Sequence, residues 1–137
     1  MEIKFPIEFL VLGTPVSAQS RSPVSRDGWK ARVLAAAQGA VPQPHFASQK
    51  RLAITLFYFP EGPRHGDVDN IVKFTLDALW PDIYLDDSQI ERVVAQKFEP
   101  GNVFSFSNPS ETLVKAITGA KPVLYVRLSD KPFEELV

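Results

Sequence analysis

The segment that most restricts the fold of this chain is RLAITLFYF, residues 51–59. It is apolar at both alternating positions and rich in aromatic and β-branched residues, the composition of a strand buried on two sides, and Pro60 and Gly62 end it. An interior strand needs a neighbour at each edge and cover on each face. Residues 3–12 supply a candidate neighbour: Ile3, Phe5, Ile7, Phe9 and Val11 alternate with Lys4, Pro6 and Glu8, and Pro6, which cannot donate to a ladder, predicts an edge strand or a bulge. Residues 13–28 read as a polar Gly/Pro/Ser loop, and WKARVLAAAQ as a short helix stopped by Gly39. A helix over about 70–79, a short strand over 83–85, a turn at Asp86 and Asp87, and a strand over 92–98 follow. NPSE predicts a helix start, with Asn108 as cap, Pro109 in the first helical position and Glu111 reaching back. That helix ends near Gly119, and PVLYVRL closes the pattern with Leu124, Val126 and Leu128 on one face. The expectation is an α/β (α+β) fold, a single domain over 1–137 with a mixed β-sheet and helices packed on it, in the order β-α-β-α-β-β-α-β.

A chain of 137 residues is long enough to bury a core without staples, and it has no cysteine to make one. Thiolate metal sites are excluded with the disulfides. The start MEIKFPIEFLVLG is interrupted by Lys4, Pro6 and Glu8, unlike a signal peptide, and no run approaches the roughly 20 apolar residues of a membrane span. A cytoplasmic protein is expected, with no membrane partner.

Net charge is −1, but it is unevenly spread: residues 1–66 carry +4, residues 67–100 carry −5, and the remainder is neutral. Six aspartates lie between positions 67 and 87, with Lys73 among them. At 100° per residue Asp69, Lys73 and Asp77 fall on one helical stripe with Asn70 beside it, while Ile71, Val72, Phe74, Leu76, Ala78 and Leu79 occupy most of the rest. A helix so largely apolar is mostly buried, which predicts that its polar stripe lines a cleft. Asp86 and Asp87 follow closely enough to fold back toward the beginning of that helix.

Two readings stand on these residues alone. In one, Asp69 caps the helix, Asp67 sits at its positive end, Lys73 pairs with Asp69 and Asp77, and Asp86-Asp87 is a turn. In the other the carboxylates converge on a cation. Two carboxylates about 4 Å apart repel by roughly 1 kcal/mol in water and roughly 4 at an effective dielectric of 20, so one lysine does not balance several of them. Oxygen-only donors select a hard ion such as Mg²⁺. An EF-hand is excluded by Ile71 and Val72, where its loop needs a polar residue and glycine.

DVDNIVKFTLDAL, followed by LDDSQI and then VAQKF, resembles the RusA family of Holliday junction resolvases. The resemblance is carried by Asp-x-Asp-Asn, a lysine four residues after the second Asp, Asp-Ala-Leu closing the helix, and Leu-Asp-Asp-x-Gln-Ile. It covers residues 64–98 well. It implies a homodimeric, Mg²⁺-dependent endonuclease, with Mn²⁺ able to substitute and no nucleotide cofactor, that cuts two strands of a four-way DNA junction symmetrically in recombination or repair, in a bacterial or phage setting. Carried over by position, Asp67, Asp69 and Asp87 are the metal carboxylates and Lys73 is the base or phosphate-contacting cation; these four form the catalytic set. Asn70, Asp77 and Asp86 support them. Arg21, Arg26, Lys30, Arg32, Arg64 and Lys97 are the candidates to contact DNA, with His65 a further candidate for DNA or metal. The chain is less basic than the family pattern around its first loop and before Asp67, and residues 101–119 look longer. A nuclease for another branched DNA, or a junction-binding or protein-interaction domain without cutting activity, therefore stands as the alternative.

Overall fold

The structure, a computed structural model, describes residues 1–15, 23–62 and 68–134. One four-stranded sheet organises it: β1 (Ile7–Leu12), β2 (Leu52–Phe59), β3 (Ile90–Lys97) and β4 (Val123–Ser129), in the order β1-β4-β2-β3. β4 runs antiparallel to β1 and to β2, whereas β2 and β3 are parallel. That parallel pair requires a crossover, which α2 (Val68–Leu79) provides. The other helices are α1 (Pro23–Gly39) and α3 (Glu111–Thr118).

β2 is an interior strand, as RLAITLFYF predicts, and β1 is an edge strand, as Pro6 predicts. Even-numbered β2 side chains Leu52, Ile54, Leu56 and Tyr58 face one way and join Ile7, Phe9 and Val11 of β1 with Leu124, Val126 and Leu128 of β4. On them α1 lays Trp29, Val33 and Ala37, spaced by four, and α2 lays Ile71, Phe74, Ala78 and Leu79. Phe59 points the other way, to a smaller cluster with Val123, Tyr125 and α3's Leu113 and Ala116. The mixed sheet with helices on both faces matches the expected fold class.

Three local expectations are corrected. α1 begins at Pro23, inside the expected loop: a proline's missing N–H costs nothing at a helix start, and the buried Trp29, Val33 and Ala37 hold a helix that tolerates Gly28. Residues 83–85 form no strand. Ile83 and Tyr84 are fully buried instead, and only an isolated bridge between Ser48 and Tyr84 joins them to extended chain, so the order has one strand fewer than expected. The cap of α3 is Ser110, not Asn108: its hydroxyl accepts from the Leu113 N–H at 3.1 Å and donates to the Glu8 carboxylate, a partner 102 positions away.

Candidate active site

α2 is amphipathic in the way its pattern predicts, with Ile71, Phe74, Thr75, Ala78 and Leu79 buried. Asp69, Lys73 and Asp77 are exposed on the opposite stripe, and Lys73 forms no ion pair with either aspartate. This departs from the structural reading, in which those pairs would hold the helix together. Among the described residues, Asp77 at the end of that stripe lines a depression.

That depression, about 590 Å³, is lined by Lys30 of α1, Asp77 and Trp80 at the end of α2, and Leu85, Asp86 and Asp87 of the segment that follows. Pro81 prevents α2 from continuing, and the chain doubles back with the Ile83 N–H bonded to the Leu79 carbonyl at 2.8 Å. The acidic pair therefore arrives beside Asp77, at the end of α2. Of the seven residues between Leu79 and Asp87, Ile83 and Tyr84 are buried.

Two side chains hold this turn. Asp86 caps a single 3₁₀ turn over Asp87–Gln89, accepting from the Ser88 N–H at 2.9 Å, and Gln89 completes a capping box. The Gln89 amide uses its whole capacity: its oxygen accepts from the N–H groups of Leu85 and Asp86, both at 2.9 Å, and its nitrogen donates to the carbonyls of Ser48 and Lys50, both at 2.8 Å. The hydrogen bonds from Ser88 hold the Asp86 carboxyl below its ordinary pKa, so it stays ionised. Tyr84 is the second holder. Its buried hydroxyl lies 3.0 Å from the Leu76 carbonyl and 3.3 Å from Asp87 Oδ1. Burial first, and then the charge of Asp87, its hydrogen bond and the charge of Asp77, push the phenol well above its ordinary pKa. The group remains a neutral donor that ties Asp87 to the last turns of α2.

Sequence reasoning did not single out Tyr84, Trp80 or Gln89. Gln89 carried a signal, because Asp86 and Gln89 have capping-box spacing; Tyr84 carried none. Trp80 is 53% exposed, with its indole N–H on the Leu85 carbonyl at 2.9 Å. Together with Leu85, which is also exposed, it gives the acidic depression an apolar rim.

The remaining candidates are scattered. Asn70 is half-buried beside Asp69, and Arg26 is half-buried on α1. Arg32 reaches the Leu12 carbonyl at 3.4 Å and lies over Gly13, whose φ of +119° suits glycine and where a Cβ would meet the guanidinium at 2.5 Å. Lys97 ends β3 and pairs with Glu99 at 3.7 Å. Asp67, Arg21, Arg64 and His65 lie outside the described residues. Among the described residues, no three acidic or histidine side chains are close enough to share a cation. The donor chemistry nevertheless suits a hard ion, because Asp69, Asp77, Asp86 and Asp87 are exposed carboxylates with no soft ligand among them. No helix among the described residues is long and apolar enough to cross a membrane.

A mixed sheet bearing an acidic helix and an acidic turn on one face is an arrangement suited to phosphate-ester chemistry. The family described as endodeoxyribonuclease RusA matches residues 16–104, and the chain belongs to that family. It is thereby an endodeoxyribonuclease. No curated protein matches the chain.

Proposed function

We propose that this protein is a divalent-metal-dependent endonuclease that resolves four-way DNA junctions by paired hydrolysis of two phosphodiester bonds. The observation that carries the reading is the exposed stripe of Asp69, Lys73 and Asp77, whose charges are not used to neutralise one another, with Asp87 tied beside it by Tyr84 and Gln89. Asp67, Asp69 and Asp87 would hold the cation, preferably Mg²⁺. When bound, such an ion lowers the pKa of an attacking water and neutralises charge growing on the phosphate. Lys73, one turn from Asp69, presents an ammonium to the same phosphate and stabilises its developing charge. Asp77 and Asp86 keep the field around the site negative, which favours a cation there. Lys30 is the positive group facing that field across the depression, and it meets the DNA backbone.

The whole chain forms one endonuclease domain in this reading. β1 and β4 lie outside the matched residues 16–104, yet they pair into the same sheet as β2 and β3. The active unit is a homodimer, because two symmetric cuts need two sites related by a twofold axis.

The test compares labelled four-way junction with linear duplex, in Mg²⁺ and in EDTA, for the wild type and Asp87→Asn. Paired cuts in the junction with Mg²⁺ alone, lost in Asp87→Asn while junction binding persists, are the expected outcome. A wild type that cuts no branched DNA with any divalent ion overturns the reading.

A further inference from the structure

Neither the core nor the metal chemistry accounts for Trp80. It follows α2 directly, and of the chain's two tryptophans it is the exposed one, open to solvent over 53% of its surface, whereas Trp29 is buried. Its ring is nevertheless held in place. The indole N–H donates to the Leu85 carbonyl at 2.9 Å, so the turn that carries Asp86 and Asp87 also orients the indole. Trp80 and Leu85 share one depression with Asp77, Asp86, Asp87 and Lys30. The carboxylates there suit a cation and the ammonium suits a phosphate, but an apolar ring serves neither.

The part of a DNA strand that an indole face suits is the face of a nucleobase. In an uninterrupted duplex those faces are covered by neighbouring base pairs, and the surface offers phosphates, sugars and base edges. Extruding a base from intact duplex costs its stacking, whereas at a branch point part of that stacking is already broken. A depression of about 590 Å³ lies within the roughly 300–1,000 Å³ of small-molecule sites, so it has room for one base.

We propose that Trp80 is a stacking platform for a nucleobase unstacked at the branch point, and that this contact makes the protein prefer branched DNA to uninterrupted duplex. The proposal rests on the reading of this face as the DNA-cutting site and names what selects the substrate there. Because the Leu85 carbonyl fixes the ring before DNA arrives, little side-chain freedom is lost on binding. The contact also supplies affinity that charge does not: net charge is −1, and among the described residues lining the depression Lys30 stands against three carboxylates. Stacking on a ring releases no counterions, so it persists where salt weakens phosphate contacts.

The test titrates the full-length protein with a four-way junction and with linear duplex of matched sequence, in EDTA, so that binding is read without cutting. Junction should quench the tryptophan emission of the wild type and duplex should not. In Trp80→Phe, whose remaining tryptophan is the buried Trp29, the quenching should disappear while most of the junction affinity stays, because a phenyl ring still stacks. Trp80→Ala should weaken junction binding about tenfold, leave duplex binding as it is, and leave the slope of log Kd against log salt unchanged, since no phosphate contact is lost. Both variants should melt close to the wild type, because the ring lies at the surface. Equal losses on junction and duplex in Trp80→Ala, no loss on either, or junction binding that leaves the wild-type emission unchanged overturns the proposal. Cleavage assays separate its failure from that of the resolvase reading. Paired cuts by a Trp80→Ala protein with undiminished preference for junction refute only the stacking, whereas Trp80-dependent junction binding by a wild type that cuts with no divalent ion refutes only the cutting.

Discussion

The two faces of the sheet handle charge in opposite ways. On the face covered by α1 and α2 the apolar side chains are buried and the charged ones are left outside, with Asp69, Lys73 and Asp77 exposed and unpaired with one another. On the face covered by α3 the charges lie within the packing and are matched. Glu8 accepts from the hydroxyls of Tyr125 and Ser110, and Arg127 meets Glu134 at 2.6 Å. Arg92 adds donors at 2.8 Å to the carbonyls of Pro132 and Glu134. Each face even has a tyrosine that donates to a carboxylate, Tyr84 to Asp87 and Tyr125 to Glu8. Charge bound to a partner in a half-buried setting stabilises the fold, and charge left exposed and unmatched on a rigid helix is available to a ligand.

The sharpest way to break this contrast is to neutralise the exposed stripe. Asp69→Asn or Lys73→Ala should lower junction cutting by about 10²–10³, or about 3–4 kcal/mol in the barrier, while thermal unfolding moves by no more than about 0.5 kcal/mol. A large loss of stability instead would make the stripe structural. Gln89→Leu should lose about 2–4 kcal/mol in urea unfolding, because four hydrogen bonds of about 0.5–1.5 kcal/mol net disappear together and the loop carbonyls of Ser48 and Lys50 lose their donor. Cutting should fall with it even at temperatures where the variant is folded, since Asp86 and Asp87 lose their brace.

The tyrosines sharpen the comparison. Tyr125→Phe should cost about 1–2 kcal/mol of stability and leave cutting intact, whereas Tyr84→Phe should cost about 1 kcal/mol and slow cutting several-fold, both read from melts and single-turnover cleavage. A reversal of that pattern would exchange the roles of the two faces. The smallest effect is expected at Glu134. The hydrogen bond from Arg127 is the largest of the influences that hold its pKa below the ordinary carboxylate value. Its folded form thus binds a proton less readily than its unfolded form, and its contribution is present above the ordinary glutamate pKa and lost as the pH falls through the folded value. Glu134→Gln should cost about 1 kcal/mol at pH 7, allowing for partial exposure, and the gap to wild type should close below about pH 4.

What the sequence by itself determined was everything written in local periodicity. The two-sided apolar run made β2 an interior strand, Pro6 put β1 at an edge, and the spacing of Asp69, Lys73 and Asp77 put them on one side of α2. The capping-box spacing of Asp86 and Gln89 belongs to the same class, legible though not read. The tertiary structure alone decided how distant pieces share their bonds. Ser110 caps α3 in place of Asn108 because its hydroxyl also reaches Glu8, and residues 83–85 leave the sheet because Ile83 and Tyr84 are wanted in the core. The acidic turn lands beside Asp77 because Tyr84 anchors to the Leu76 carbonyl and Gln89 to the carbonyls of Ser48 and Lys50. Periodicity is a property of neighbours along the chain, whereas a hydrogen bond or a buried contact between residues 40 or 100 positions apart exists only once the sheet has brought them together.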